Sequence, residues 1–180
     1  MAVLLVAYAT RHGSTRGIAE RIAQVLQASG HRTDLKPVEE VSGLPGYDGF
    51  VIGSAAYAGS WLKSASTFVR RNQGFLAERP LWLFSSGPLG AAAGKESQSV
   101  LERYEPKELS QFKAALNPRG TRVFYGALDP SQLSFIESLP RRLPAGRRLM
   151  PAGDFRDWPA IEGWAQEIAA ALTPASAPVA

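Results

Sequence analysis

Three hydroxyls, a guanidinium and an imidazole are gathered in six consecutive residues, Thr10-Arg11-His12-Gly13-Ser14-Thr15. The segment lies between an apolar run and a helical pattern, and its chemistry suits holding an anion rather than breaking a bond. The first N–H groups of a helix lack intrahelical partners and sit at its positive end. Thr10, Ser14 and Thr15 add hydroxyl donors, and Gly13 permits close backbone approach or a positive φ. The helix dipole contributes only about 0.3–2 kcal/mol to a bound phosphate. Most of the affinity must therefore come from converging hydrogen bonds. The plainer alternative is a Ser/Thr helix cap. The spacing matches neither GxGxxG nor GxxxxGK[ST], and neither motif occurs elsewhere in the chain.

Two further segments are built from small residues. One is Gly53-Ser54-Ala55-Ala56-Tyr57-Ala58-Gly59-Ser60-Trp61, the other Ser85-Ser86-Gly87-Pro88-Leu89-Gly90. Small side chains let backbone N–H and C=O groups reach the edge of a flat heterocycle. Tyr57 could stack on its face, adding about 0.5–1.5 kcal/mol beyond area burial. Trp61 either flanks such a ring or packs its helix onto the sheet.

The elements that would position these loops are legible. Five apolar runs, Val3–Tyr8, Arg32–Leu35, Gly49–Gly53, Pro80–Ser85 and Thr121–Gly126, read as parallel strands buried on both faces. Helical stripes fall between them at Ile18/Ile22/Val25/Leu26, at Leu62/Ala65/Phe68/Val69 and from Val100 to Leu116, where Pro106 breaks or restarts the helix. Ile161, Trp164, Ala165, Ile168 and Leu172 form the last. Alternating strands and helices imply right-handed crossovers and a three-layer α/β/α sandwich. All three small or polar loops then meet at the carboxyl edge of the sheet, where open α/β sheets bind ligands. A receiver domain of similar fold needs acids at the end of its first strand, and Tyr8, Ala9 and Thr10 supply none.

Composition narrows the field. The chain of 180 residues is 45% apolar, enough for one full core. No cysteine is present, so disulfides, thiolate catalysis and cysteine-ligated metals are excluded. Two histidines do not make a multi-histidine metal site. The start MAVLLVAYAT has no basic n-region and reads as a strand, not a signal peptide. No window is long and apolar enough to span a bilayer. A cytoplasmic location is the expectation. The net charge of +4 and pI near 9.6 select no partner by themselves, and no nucleic-acid partner is expected.

The octapeptide Y-A-T-R-H-G-S-T resembles the flavodoxin phosphate loop, [ST]-x-T-G-x-T, with His12 in place of the middle hydroxyl residue. The resemblance implies a flavodoxin-like fold with five parallel strands in the order 2-1-3-4-5. It implies bound FMN, held by residues 10–15, 54–59 and 85–90. FMN is expected rather than FAD, because the loop takes a terminal phosphate and no adenosine fingerprint is visible. The second small loop departs from the electron carriers, which place an acid and then a tyrosine after the glycine; here Pro88 and Leu89 follow Gly87. Either the site has decayed or one flavin face stays open to substrate, and the survival of the rest of the pattern favours the open face.

Across residues 1 to about 172 the chain most resembles the flavodoxin-type, menaquinone-dependent protoporphyrinogen dehydrogenases. The shared features are Thr10-Arg11, Phe84-Ser85, Gly126-Ala127-Leu128, a basic and apolar insert from Asp129 to Arg156, and Asp157-Trp158. The resemblance implies a domain over 1–172 that passes two electrons from a reduced organic substrate, such as protoporphyrinogen, to a quinone or similar acceptor. No acid or base side chain stands out as catalytic. The alternatives are an electron carrier between redox proteins and a flavin-free binding module. Within the insert, Arg141, Arg142, Arg147 and Arg148 lie among Leu139, Leu143, Leu149 and Met150. They read either as solvated, snorkelling arginines or as a weak peripheral membrane contact over Ser138–Pro151, at the inner face of the membrane. The small, Pro-rich tail 173–180 reads as disordered.

Overall fold

A computed structural model of the chain describes residues 1–87 and 98–172. Its elements begin with β1 (Val3–Ala9), α1 (Ser14–Ala28), β2 (Arg32–Pro37), β3 (Gly49–Tyr57) and a short β4 (Ser60–Trp61). Next come α2 (Lys63–Arg71), α3 (Gln73–Ala77), β5 (Leu81–Ser86), α4 (Gln98–Leu101), α5 (Lys107–Leu116) and β6 (Gly120–Phe124). The chain continues through β7 (Ala127–Leu128), α6 (Phe135–Ser138), α7 (Pro144–Leu149), β8 (Gly153–Asp154) and α8 (Trp158–Leu172).

Five strands form a parallel sheet in the order β2-β1-β3-β5-β6, and β4 folds back antiparallel on β3. With the five long strands counted alone, this is the expected 2-1-3-4-5 order. Alternate strand residues point to opposite faces, so β1 feeds two cores. Leu4 and Val6 pack with Ile18, Ile22, Phe84, Phe124, Trp164 and Ile168 beneath α1 and α8. Leu5 and Ala7 pack with Phe50, Ile52, Leu83, Val69, Leu76, Leu109 and Phe112 beneath α2, α3 and α5. Each fully buried large apolar side chain contributes roughly 1.5–3 kcal/mol. Continuous apolar strands are what a sheet covered on both faces requires.

Several expected boundaries move. β3 runs four residues past Gly53, so Ser54–Tyr57 are strand, not loop, and Trp61 lies in β4 ahead of the helix. The fifth long strand ends at Phe124, not Gly126, because Ala127–Leu128 leave the main sheet to pair with Gly153–Asp154. Pro106 does interrupt the 100–116 segment: a 3-10 turn over 102–104 follows α4, and α5 starts immediately after the proline. The insert is not a loop but a chain of short helical turns. Pro88, Leu89, Gly90 and the tail 173–180 lie outside the described residues. Among the described residues no helix is long and apolar enough to cross a membrane.

Candidate functional site

β1, β3 and β5 end side by side, and the sheet order reverses at β1, so a crevice opens above their carboxyl ends. α1 begins there without a side-chain cap. Its N-cap is Gly13, at φ 78°, in the left-handed region that disfavours any residue with a Cβ. The plain capping explanation for the hydroxyls therefore fails. Thr10 lines the crevice, and its buried hydroxyl has no partner among the described residues. An unsatisfied buried hydroxyl costs about 1–3 kcal/mol, and a ligand in the crevice would satisfy this one. The Thr15 hydroxyl lies 2.9 Å from the Ser86 hydroxyl and ties the first loop to β5. Ser14 Oγ accepts a 2.8 Å bond from the Ala127 N–H, which fastens the base of the insert to α1.

The second loop is a tight hairpin. Ala58 and Gly59 both take positive φ, at 48° and 73°, and join β3 to β4, as a two-residue hairpin turn requires. Glu108 Oε2, on α5, accepts a 3.0 Å bond from the Trp61 N–H, and the Lys107 N–H donates to the Gly59 carbonyl. These bonds fix the hairpin and with it Tyr57, whose 41% exposure leaves its ring available for stacking. Burial raises the Tyr57 phenol above its ordinary pKa; Arg11 opposes this and Glu137 adds to it. The Arg11 guanidinium lies 5.6 Å from the centre of the Tyr57 ring. Gly87 is the close-approach residue: a Cβ there would stand 2.9 Å from the Ala56 carbonyl oxygen.

Not every expected residue lines the crevice. Thr10, Arg11, His12, Ser14, Thr15, Ala55, Ala56, Tyr57, Ala58, Ser86 and Gly87 do. Ser54 is fully buried and accepts from the Leu62 N–H, so it braces the hairpin. Ser85 is fully buried, and among the described residues its hydroxyl has no partner. Gly59 opens onto a neighbouring cleft of about 310 Å³ beside Arg103, Tyr104 and Glu105. Trp61 is buried against Phe112, ring centres 5.6 Å apart, and does not flank the crevice.

The insert supplies a wall that sequence reasoning missed. It rises from the β7–β8 ribbon and folds over the crevice, where Leu133, Glu137, Pro140 and Met150 complete a cavity of about 380 Å³. That volume lies within the range of small-molecule sites, about 300–1,000 Å³. Among the described lining residues Tyr57 is the only Phe, Tyr or Trp. The insert's part of the lining is aliphatic at Leu133, Pro140 and Met150 and acidic at Glu137. A wider cleft of about 600 Å³ between residues 38–44 and α2 shares none of the residues that line this cavity among those described.

Glu137 is the latch of this lid. Its Oε1 lies 3.2 Å from Arg11 and 3.4 Å from His12 Nε2. The imidazole expected to serve an anion thus faces Glu137. The Ser134 hydroxyl and then the Ser134 N–H bond the carboxylate and hold its pKa below the usual carboxylate range; His12 and Arg11 add to this. Ser134 and Glu137 form a capping box. The S-x-x-E pattern at 134–137 announces that helix start in the sequence. That it would fall on the first loop does not show there.

The chain belongs to the flavodoxin domain family, whose model matches residues 5–139. Similar solved structures share the fold at low identity. A flavodoxin from the domain Archaea is 11% identical, with 94% of this chain and 97% of that one covered and a TM-score of 0.59. Oxidised flavodoxin 1 from Bacillus cereus is 12% identical, with 96% and 100% covered and a TM-score of 0.61. Rubredoxin oxygen:oxidoreductase from Desulfovibrio gigas is 15% identical at a TM-score of 0.58; 94% of this chain matches 36% of that larger one. A comparison with curated proteins gives no match.

Proposed function

We propose that residues 1–172 form a domain that binds FMN in the lidded crevice and acts as a redox enzyme, moving two electrons from a reduced organic substrate to a quinone-class acceptor. The observation that carries this reading is the convergence, in one cavity, of the unpartnered Thr10 hydroxyl, the uncapped start of α1 and the half-exposed Tyr57 ring. Thr10, Thr15 and the N–H groups of residues 13–15 would hold the phosphate, and Tyr57, Ala55, Ala56 and Gly87 the ring. Bound FMN supplies the two-electron chemistry; the chain binds it, orients it and excludes water. The aliphatic wall of Leu133, Pro140 and Met150 supports a small apolar reaction partner on that side. A porphyrinogen is the substrate to assay first, on the strength of the sequence resemblance.

The absorbance spectrum of the purified protein tests the cofactor. A flavin band is expected, and heat release followed by chromatography should give FMN. An FAD peak overturns the FMN assignment, and apoprotein that takes up no added flavin leaves the flavin-free binding module. Tyr57→Ala should weaken FMN binding by roughly the 0.5–1.5 kcal/mol of a stacked ring.

The second reading is an electron carrier, favoured by the near full-length likeness to solved flavodoxins. Turnover of small quinones should exceed exchange with carrier proteins if the enzyme reading is right. The reverse ranking selects the carrier.

A further inference from the structure

The outer face of the lid has a character the crevice does not explain. Phe135, Ile136 and Leu143 are 69%, 76% and 66% exposed, and Leu139 is exposed beside them. Apart from these four, the exposed large apolar side chains of the described residues are Met1, Tyr57 and Tyr104. Single exposed apolar residues are ordinary, but a cluster on one short segment is not.

The charges around the cluster are sorted by sign. Arg142 is exposed, with its guanidinium 4.9 Å from the centre of the Phe135 ring, and Arg147 is exposed nearby in sequence. Among the described residues neither arginine has a carboxylate partner. The acids of the segment are engaged elsewhere: Glu137 with Arg11 and His12, Asp154 with Arg156, and Asp129 with the N–H and hydroxyl of Ser131. The outer face is therefore apolar and cationic.

We propose that this face docks peripherally on an anionic lipid membrane. Phe135 and Ile136, on the single short turn α6, would enter the boundary between headgroups and acyl chains, with Arg142 and Arg147 at the level of the anionic headgroups. Pro140 and Pro144 break the segment into short turns, so contact is shallow and reversible. A second copy of the chain is the poorer occupant. A two-fold contact would set this cationic patch, which has no carboxylate of its own to spare, against itself. Because Leu133, Pro140 and Met150 on the same lid line the cavity, docking leaves only the lid between the cavity and the lipid.

Vesicle co-sedimentation tests the proposal without flavin or turnover, so its failure leaves the cofactor reading intact. The probes are vesicles of phosphatidylcholine alone and of phosphatidylcholine with phosphatidylglycerol, at low and high salt. The native chain should pellet with the anionic vesicles only, and high salt should release it, since exposed charges are screened beyond about 8 Å at physiological ionic strength. Phe135→Ser/Ile136→Ser and Arg142→Gln/Arg147→Gln should each weaken binding about tenfold or more. These sites are solvent-exposed, and unchanged thermal midpoints would show that both variants fold. No pelleting at low salt overturns the proposal, as does equal binding by both variants. A dimer in sedimentation velocity that Phe135→Ser/Ile136→Ser dissolves, with no vesicle binding, assigns the face to self-association instead.

Discussion

Thr10 and Glu137 both line the crevice and bear on a bound anion in opposite senses. Thr10 keeps a buried hydroxyl without a partner among the described residues. Thr10→Val should leave the stability of the apoprotein unchanged or slightly higher, because the orphan is removed. It should weaken FMN by about ten- to a hundredfold, the equivalent of about 1.5–3 kcal/mol for a hydrogen bond to a charged group. Titration of apoprotein by fluorescence quenching measures this, and unchanged affinity would remove Thr10 from the site. Glu137 places a negative charge on the same loop, so Glu137→Gln should tighten FMN on the order of two- to fivefold, the size of an exposed ion pair. Because Glu137 titrates below its ordinary value, its hold on the lid is complete above the usual carboxylate range. That hold is lost as pH falls through the lowered pKa. Hydrogen-exchange protection over residues 129–152, taken relative to the intrinsic exchange rate at each pH, should fall at acid pH in the native chain and lose that step in Glu137→Gln. The hydroxyl pattern at 10–15 was legible because it is contiguous. The Ser14–Ala127 and Thr15–Ser86 bonds were not, since their partners lie far along the chain.

At the scale of elements, the β3–β4 hairpin stores strain where Tyr57 is presented. Ala58 holds φ at 48° without being glycine, and the left-handed region costs an L-residue roughly 1–2 kcal/mol. Ala58→Gly removes that cost but loosens the unfolded chain by about 0.5–1 kcal/mol, for a net gain of roughly 0.5–1 kcal/mol. Denaturant melting should show a higher midpoint at unchanged slope; a lower midpoint would mean that the Ala58 side chain matters more than its backbone. The periodicities located five long strands and the helices between them, because burial on one or both faces writes itself into local sequence. They misplaced the end of β3, since Ser54–Tyr57 are small or polar yet are drawn into the sheet by pairing with β5 and β4. They also ran the last strand on through Tyr125 and Gly126. The apolar run continues there, and only the distant Gly153–Asp154 reveals that pairing has moved to another ribbon.

For the whole molecule, the lid is expected to govern which partners meet the cavity and to be separable from the fold. Among the described residues, none between 129 and 152 belongs to either core. Leu128 pairs directly with Gly153 across the antiparallel ribbon, so replacing residues 129–152 by Asn-Gly should close a two-residue hairpin. The shortened chain should fold with a thermal midpoint close to the native one, because both faces of the sheet remain covered. It should still bind FMN through the first loop, but with the aliphatic wall gone a broad redox protein gains approach to the site. Stopped-flow exchange with a carrier flavodoxin or a reductase should speed up, while turnover of small quinones loses the wall of Leu133, Pro140 and Met150 that holds them. Vesicle binding should vanish with the lid. If the native chain already exchanges electrons with proteins as fast as the lidless one, the lid is no barrier and the carrier reading prevails. If quinone turnover collapses while protein exchange rises, the lid is what turns a flavodoxin fold toward small substrates.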